Sequence, residues 1–315
     1  MTDTLHDDEI PVSLELVRTL VDDQFPQYSS LPLSRLGATG STNVLFRLGA
    51  DFLVRVPRQP GGSSAIDKEQ RWIAEIARGL SVAVPETIAV GVPASGYRER
   101  WSITRWLEGE LPKVCTPEDA PTPSRAALAA DLADVIVSLR EVHVPHAAAA
   151  DPNLRWYRGR PLGEYDRYMR RTIEHCRAIE DLDLDFDRVV ALWNDAQQLP
   201  GAAQVEPDRW YHSDLVAENL LIVDDRLCGV LDFGGLAVGD PTIDLHGAWE
   251  LFDAPAREVF RARLGVDDAE WLRGRAWALA IALGALAYYW TTMPGRRRDR
   301  LAMARSVLAD ATEFS

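Results

Sequence analysis

From Ser13 onward the apolar residues Leu14, Leu16, Val17, Leu20 and Val21 recur at a spacing that gathers them on one helical face, and the serine supplies an N-cap. An amphipathic opening helix is predicted. The pattern then shortens to runs rich in strand formers at 31–36, 43–48 and 52–56, broken by Gly37, Gly40 and the turn at 49–51, which reads as an antiparallel meander. After a loop at 60–64, residues 65–80 place Ile66, Trp72, Ile73, Ile76 and Ala77 near helical spacing. Two more strands are predicted at 87–92 and 101–106.

Beyond Gly109 helical periodicity dominates, at 125–143, 164–176, 186–198, 243–252, 267–290 and 298–312. Asp181, Asp183, Asp185 and Asp187 alternate with apolar residues in a predicted loop. The chain thus reads as α+β with two lobes: a small antiparallel-sheet lobe over 1–105 and a larger helical lobe over 106–315. A loop rich in proline and alanine at 112–123 follows the division, and no repeat of fixed period is visible.

Composition narrows the class. With 315 residues and 47% hydrophobic content the chain can bury a large core, which excludes a disordered or fibrous protein. A net charge of −14 argues against nucleic acid as a partner, because phosphate-dominated binding needs a basic surface. The longest apolar stretch, 276–290, falls short of the run of about 20 residues that spans a bilayer, so no membrane partner is expected. Residues 1–10 carry Asp3, Asp7, Asp8 and Glu9 without a basic start and apolar core, so a cytoplasmic location is expected. Cys115, Cys176 and Cys228 are widely spaced and odd in number, as suits reduced thiols.

The chemistry concentrates between 210 and 245. His212, Asp214 and Asn219 precede a predicted hairpin at 220–231, and Asp232, Phe233 and Gly234 follow it. The two open ends of a hairpin meet in space, so Asp214, Asn219 and Asp232 converge. Hard oxygen ligands from one or two side chains, completed by phosphate oxygens and water, are what nucleotide-bound Mg²⁺ requires. A carboxylate that orients and accepts the proton of an attacking hydroxyl suits Asp214. Either H-x-D-x-x-x-x-N or D-F-G alone is a weak signal; both together around a hairpin are specific. Adjacent His212, Ser213 and Asp214 do not make a hydrolase triad, since no G-x-S-x-G elbow occurs, and Pro145 between His143 and His146 argues against zinc.

At these residues the sequence resembles the aminoglycoside phosphotransferase family of protein-kinase-like small-molecule kinases. The resemblance extends to 47–49, 53–58 and 68–72, to the W-S-I-T-R-W-L-E-G-E segment at 101–110, and to the D-P-x-x-D-L segment at 240–245. It implies a protein-kinase-like two-lobed fold. By resemblance, Arg55 takes the place of the phosphate-contacting lysine, Glu69 that of its helix partner, and Asn219 and Asp232 bind metal. Backbone near Thr104, Trp106 and Leu107 would read the base of ATP or GTP. The turn at 37–43 stands where a glycine-rich loop covers phosphates, with Gly40 and Ser41 offering N–H groups. His212, Asp240 and Asp244 are expected to support the catalytic loop. Ser213 replaces a usual glycine, and arginine at 55 presents a planar fork in place of a point charge.

The expected activity is Mg²⁺-dependent transfer of a nucleotide's terminal phosphate to a hydroxyl of a small molecule. The net charge, the aspartate run and two candidate acceptor contacts, Glu250 and Asp253, favour a cationic acceptor such as an aminoglycoside antibiotic. A metabolic kinase for a sugar or amino alcohol is the alternative, and a nucleotide-binding protein without transfer activity is a second one.

Overall fold

The computed structural model describes residues 5–37, 41–116, 118–204 and 208–310. Contacts divide it into two compact units, one built from 1–78 with 83–108 and the other from 79–82 with 109–315.

The first unit opens with α1 (Leu14–Gln24), whose Ser13 hydroxyl accepts the Leu16 N–H at 3.1 Å. Strands β1 (Leu33–Arg35), β2 (Asn43–Leu48) and β3 (Phe52–Pro57) follow, then α2 (Ser63–Ala77), β4 (Thr87–Gly91) and β5 (Trp101–Arg105). They form one antiparallel sheet in the order β1-β2-β3-β5-β4. Alternation along β2 buries Val44, Phe46 and Leu48 on one face, where Val17, Leu20 and Val21 of α1 meet them together with Val54, Val56 and Ile103. Arg55, between Val54 and Val56, therefore points to the other face.

The second unit contains α3 (Pro123–Glu141), α4 (His146–Ala149), α5 (Leu162–Arg177) and α6 (Phe186–Ala196), then β6 (Arg209–Tyr211), β7 (Leu220–Val223), β8 (Arg226–Val230) and β9 (Ala237–Gly239). Helices α7 (Ala248–Leu251), α8 (Ala254–Leu264), α9 (Asp268–Tyr289) and α10 (Pro294–Asp310) complete it. Trp193, Trp249, Trp271 and Trp277 are fully buried and fill the core around α9, and Trp210 of β6 is buried with its Nε1–H donating to the His143 carbonyl. Among the described residues no helix is long and apolar enough to cross a membrane.

Two elements differ from expectation. In place of one helix over 243–252 the chain makes a 3₁₀ segment, Pro241–Gly247, and then the single turn α7. The tight segment lets Gly247 approach the Leu215 carbonyl, where any β-carbon would collide. Helix α8 was not anticipated; Asp253 caps its start and Ala256, Phe260 and Leu264 bury a face at intervals of four. The last two residues of the helix expected at 298–312 lie outside the described residues.

Candidate active site

The hairpin forms where expected, with a two-residue turn. Val223 pairs with Arg226, and Asp224 and Asp225 both take positive φ, 50° and 62°, the twist that matches flanking strands. A second short ladder pairs β6 with β9. The loops at 212–219 and 231–236 each run from one ladder to the other, so both are fixed at each end. Hydrogen bonding adds to this: the Leu231 N–H donates to the Asn219 carbonyl at 2.8 Å, and His212 Nε2 lies 2.9 Å from the Leu231 carbonyl. His212 Nδ1 accepts the Asp214 N–H at 3.3 Å, leaving the ring a structural cross-brace packed edge-on against Phe233.

Asp244 cradles the same loop from below. Its Oδ2 accepts the His212 N–H at 2.8 Å and its Oδ1 the Ser213 N–H at 2.6 Å. Burial pushes the Asp244 carboxyl upward against those donors. Ser213 sits at φ 74°, a left-handed conformation that explains why a glycine would be at ease there. Its hydroxyl donates to the Gly235 carbonyl at 3.0 Å and ties the two loops together. Asp240 caps the 3₁₀ segment by accepting the Thr242 N–H at 3.0 Å.

Asp214 ends this scaffold half-buried. Its Oδ1 receives Arg158 Nη1 at 2.9 Å and its Oδ2 receives Asn219 Nδ2 at 2.9 Å. Burial raises the carboxyl, but the Arg158 guanidinium beside it, with Arg300 further off, outweighs that and holds Asp214 well below the usual carboxylate range. The group is anionic at neutral pH, and each oxygen keeps a lone pair for a hydroxyl proton.

Asn219 also donates to the Asp214 carbonyl at 2.9 Å, an orientation that leaves its Oδ1 as the atom able to coordinate. Across the hairpin's open end, Asp232 takes φ 55° and its Oδ1 accepts the Gly234 N–H at 3.2 Å. One carboxamide oxygen and one carboxylate fit a Mg²⁺ ion whose other positions go to phosphate and water. They do not make an all-protein cage: among the described residues no cluster of three or more His, Cys, Asp or Glu side chains forms.

In the first unit Arg55 and Glu69 meet in a buried bidentate pair, Nη1 to Oε2 at 2.6 Å and Nη2 to Oε1 at 3.1 Å. Ser41 is half-buried and its carbonyl lies 2.6 Å from His6 Nε2, while Gly40 falls outside the described residues. Thr104 is a correction. It lies inside β5, paired to Leu53 on one side and Thr87 on the other, so its backbone belongs to the ladder and its side chain is buried. Trp106 donates its N–H to the Asp51 carbonyl at 2.8 Å and carries the Arg47 guanidinium over its ring. Leu107 makes no hydrogen bond among the described residues.

Glu250 is a correction, because it is buried and paired inside the second unit, whereas nothing in the structure tests the Asp253 expectation. Glu250 is 1% exposed, pairs with Arg300 at 2.7 Å and takes the Ala217 N–H at 3.4 Å. Asp253 caps α8 through the Ala256 N–H at 3.0 Å. Conversely, Arg158 escaped sequence reasoning: it lies in no motif and 56 residues before its partner. Arg300, which bridges Glu250 and Glu218, was missed for the same reason.

Residues 34–277 match the sequence profile described as the phosphotransferase enzyme family. No curated protein matches the chain. Among solved structures, the GDP complex of aminoglycoside 2'-phosphotransferase-IIIa superposes with a TM-score of 0.72 at 19% identity, covering 95% of this chain and 100% of that one. The streptomycin–ATP complex of APH(2")-IIa gives 0.62 at 16% identity, covering 88% and 91%. A macrolide 2'-phosphotransferase from Brachybacterium faecium gives 0.60 at 21% identity, covering 94% and 98%. At these identities the likeness is one of fold, the protein-kinase-like α+β arrangement.

Proposed function

Because this chain belongs to the phosphotransferase enzyme family, we propose that it transfers the terminal phosphoryl group of ATP or GTP to a hydroxyl of an antibiotic-type small molecule. The acceptor oxygen bonds to the γ-phosphorus, the bond from that phosphorus to its bridging oxygen breaks, and the hydroxyl proton passes to Asp214. The single observation behind this reading is the doubly anchored Asp214 carboxylate beside Asn219, with Asp232 at the other open end of the hairpin. An ionised, immobilised carboxylate is a weak base but a good positioner, which suits a loose transition state in which the proton leaves late.

Asp232 and Asn219 Oδ1 would hold Mg²⁺, which when bound neutralises phosphate charge. Arg55, held by Glu69, would present its planar guanidinium to phosphate oxygens. Backbone at Ser41 would add a phosphate contact, and backbone at Leu107 would read the base.

A nucleotide-consumption screen over aminoglycosides, macrolides, simple sugars and amino alcohols tests the reading. Turnover of an antibiotic is the expected result; turnover of sugars or amino alcohols alone would assign a metabolic kinase. Asp214→Asn should lower kcat by a factor of about 100 or more with Mg²⁺-nucleotide affinity retained. Asp232→Ala should instead abolish metal-dependent nucleotide binding in calorimetry. An Asp214→Asn enzyme with near-parental turnover would remove that residue from the mechanism.

A further inference from the structure

Three consecutive residues ahead of α5 reach the catalytic machinery from outside every motif. Trp156 lies over the loop that follows Asp232, where a β-carbon on Gly235 would come within 3.3 Å of its ring. Arg158 donates to the Ser213 carbonyl at 3.1 Å and to Asp214 at 2.9 Å. Tyr157, between them, stacks on Tyr165 with ring planes 11° apart and takes the Arg158 Nε–H on its hydroxyl at 3.1 Å. Tyr165 in turn meets Tyr168 at 4.9 Å and is anchored from behind by Trp193 and Trp277.

The result is an aromatic ledge with a rigid back and an open front. Tyr157 is 42% exposed and Tyr168 48%, although Tyr165 beneath them is buried. Single exposed tyrosines need no explanation. Two that share a buried aromatic support, continuous through Arg158 with a catalytic carboxylate, are a surface built to be covered.

We infer that Tyr157 and Tyr168 form the acceptor's seat, and that they take a hydroxyl carried beside an apolar ring face in preference to a polycationic sugar. The inference rests on the phosphotransferase reading above and sets its acceptor class. Two observations turn it away from polycations. Of the acids that favoured a cationic acceptor, Glu250 is buried and paired with Arg300, and Asp253 spends one oxygen on capping α8. Arg158 already holds the position beside Asp214, with its guanidinium 4.9 Å from the Trp156 ring and 5.7 Å from the Tyr157 ring, and weighs against an acceptor that carries several cationic groups.

Steady-state kinetics and calorimetry with a macrolide and an aminoglycoside test this on the full chain. Tyr157→Leu and Tyr168→Ser should each raise KM for the macrolide by about 3- to 10-fold, the worth of one aromatic contact. For Tyr168→Ser nucleotide affinity and kcat should move little, whereas Tyr157→Leu also removes the acceptor of the Arg158 Nε–H and should lower kcat as well. Tyr288→Ser, at an exposed tyrosine on α9, serves as the control that should change none of these. If an aminoglycoside is phosphorylated with a KM indifferent to Tyr157 and Tyr168, the seat is wrong while the kinase reading stands. If the macrolide binds with affinity that depends on Tyr168 but is never phosphorylated, the seat stands and the transfer reading falls. Binding of neither class overturns the seat.

Discussion

Replacing Arg300 with methionine should destabilise the second unit by about 3 kcal/mol or more. Arg300 is 5% exposed; its Nη1 lies 2.7 Å from Glu250 Oε2 and its Nη2 3.3 Å from Glu218 Oε1. Methionine fills much of the space but leaves the Glu250 carboxylate buried and unpaired, a situation that costs about 3–5 kcal/mol. Glu250→Gln should cost less, because Arg300 keeps Glu218. The double variant Arg300→Met/Glu250→Leu should recover most of the loss, since a buried pair replaced whole by apolar side chains leaves no orphan charge. Burial already pushes Glu250 upward, and without Arg300 nothing as strong opposes it. The folded variant then binds the Glu250 proton more tightly than the unfolded chain does, so its deficit grows as pH rises and shrinks as pH falls. Urea denaturation of the parent and three variants at acidic and alkaline pH reads all of this from the midpoints. A single variant within about 1 kcal/mol of the parent, or a double variant no better than the single, would refute the reasoning.

Two further outcomes are expected. Ser213→Ala keeps the left-handed strain and loses the hydroxyl bond to Gly235, whereas Ser213→Gly loses the bond but also the strain, so the glycine variant should be the more stable by about 1 kcal/mol in chemical denaturation. The reverse order would show that φ 74° carries no cost. His246 is fully buried, and burial pushes its pKa from 6.5 down to about 4. Its folded pKa is depressed, so the stability this represents, roughly 3 kcal/mol, is present above about pH 6.5 and lost as pH falls toward 4. A His246→Gln variant with the same acid slope would reassign that slope to other groups.

Much of the site was legible because its signals are local. The hairpin between Asn219 and Asp232 follows from two short apolar runs around a polar turn, and a hairpin brings its ends together whatever surrounds it. The Arg55–Glu69 pair was reached through resemblance alone, since Glu69 by itself reads as a solvated helix charge. What stayed hidden is what tertiary packing decides. Strands β6 and β9 have three residues each, too few for a period of two to register. The 3₁₀ segment at Pro241–Gly247 has an apolar pattern no different from an α-helix, and the close approach of Gly247 to Leu215 selects the tighter form. Glu250 sits between aromatic residues on a short turn, and nothing in its neighbours announces Arg300, fifty positions on.

The charge of the whole chain and the charge at the site are separate quantities. Among the acids on or against the 212–219 loop, Glu250 is paired with Arg300, Glu218 is shared by Arg296 and Arg300, and Asp244 accepts backbone N–H groups. Asp214 itself is paired with Arg158. The aspartates at 181, 183, 185 and 187 that weigh on the net charge of −14 are exposed, the first three before α6 and Asp187 in its first turn. Exposed charges act through water and salt with a reach of about 8 Å at physiological ionic strength, so they set solubility and the approach of ions before they set a binding site. At the carboxylate the local field is positive, set chiefly by Arg158, and the surface that adjoins Arg158 is aromatic. On the acceptor seat inferred above, selection would fall to shape and apolar contact more than to net charge, and loss of Tyr168 should then change the acceptor KM more than added salt does.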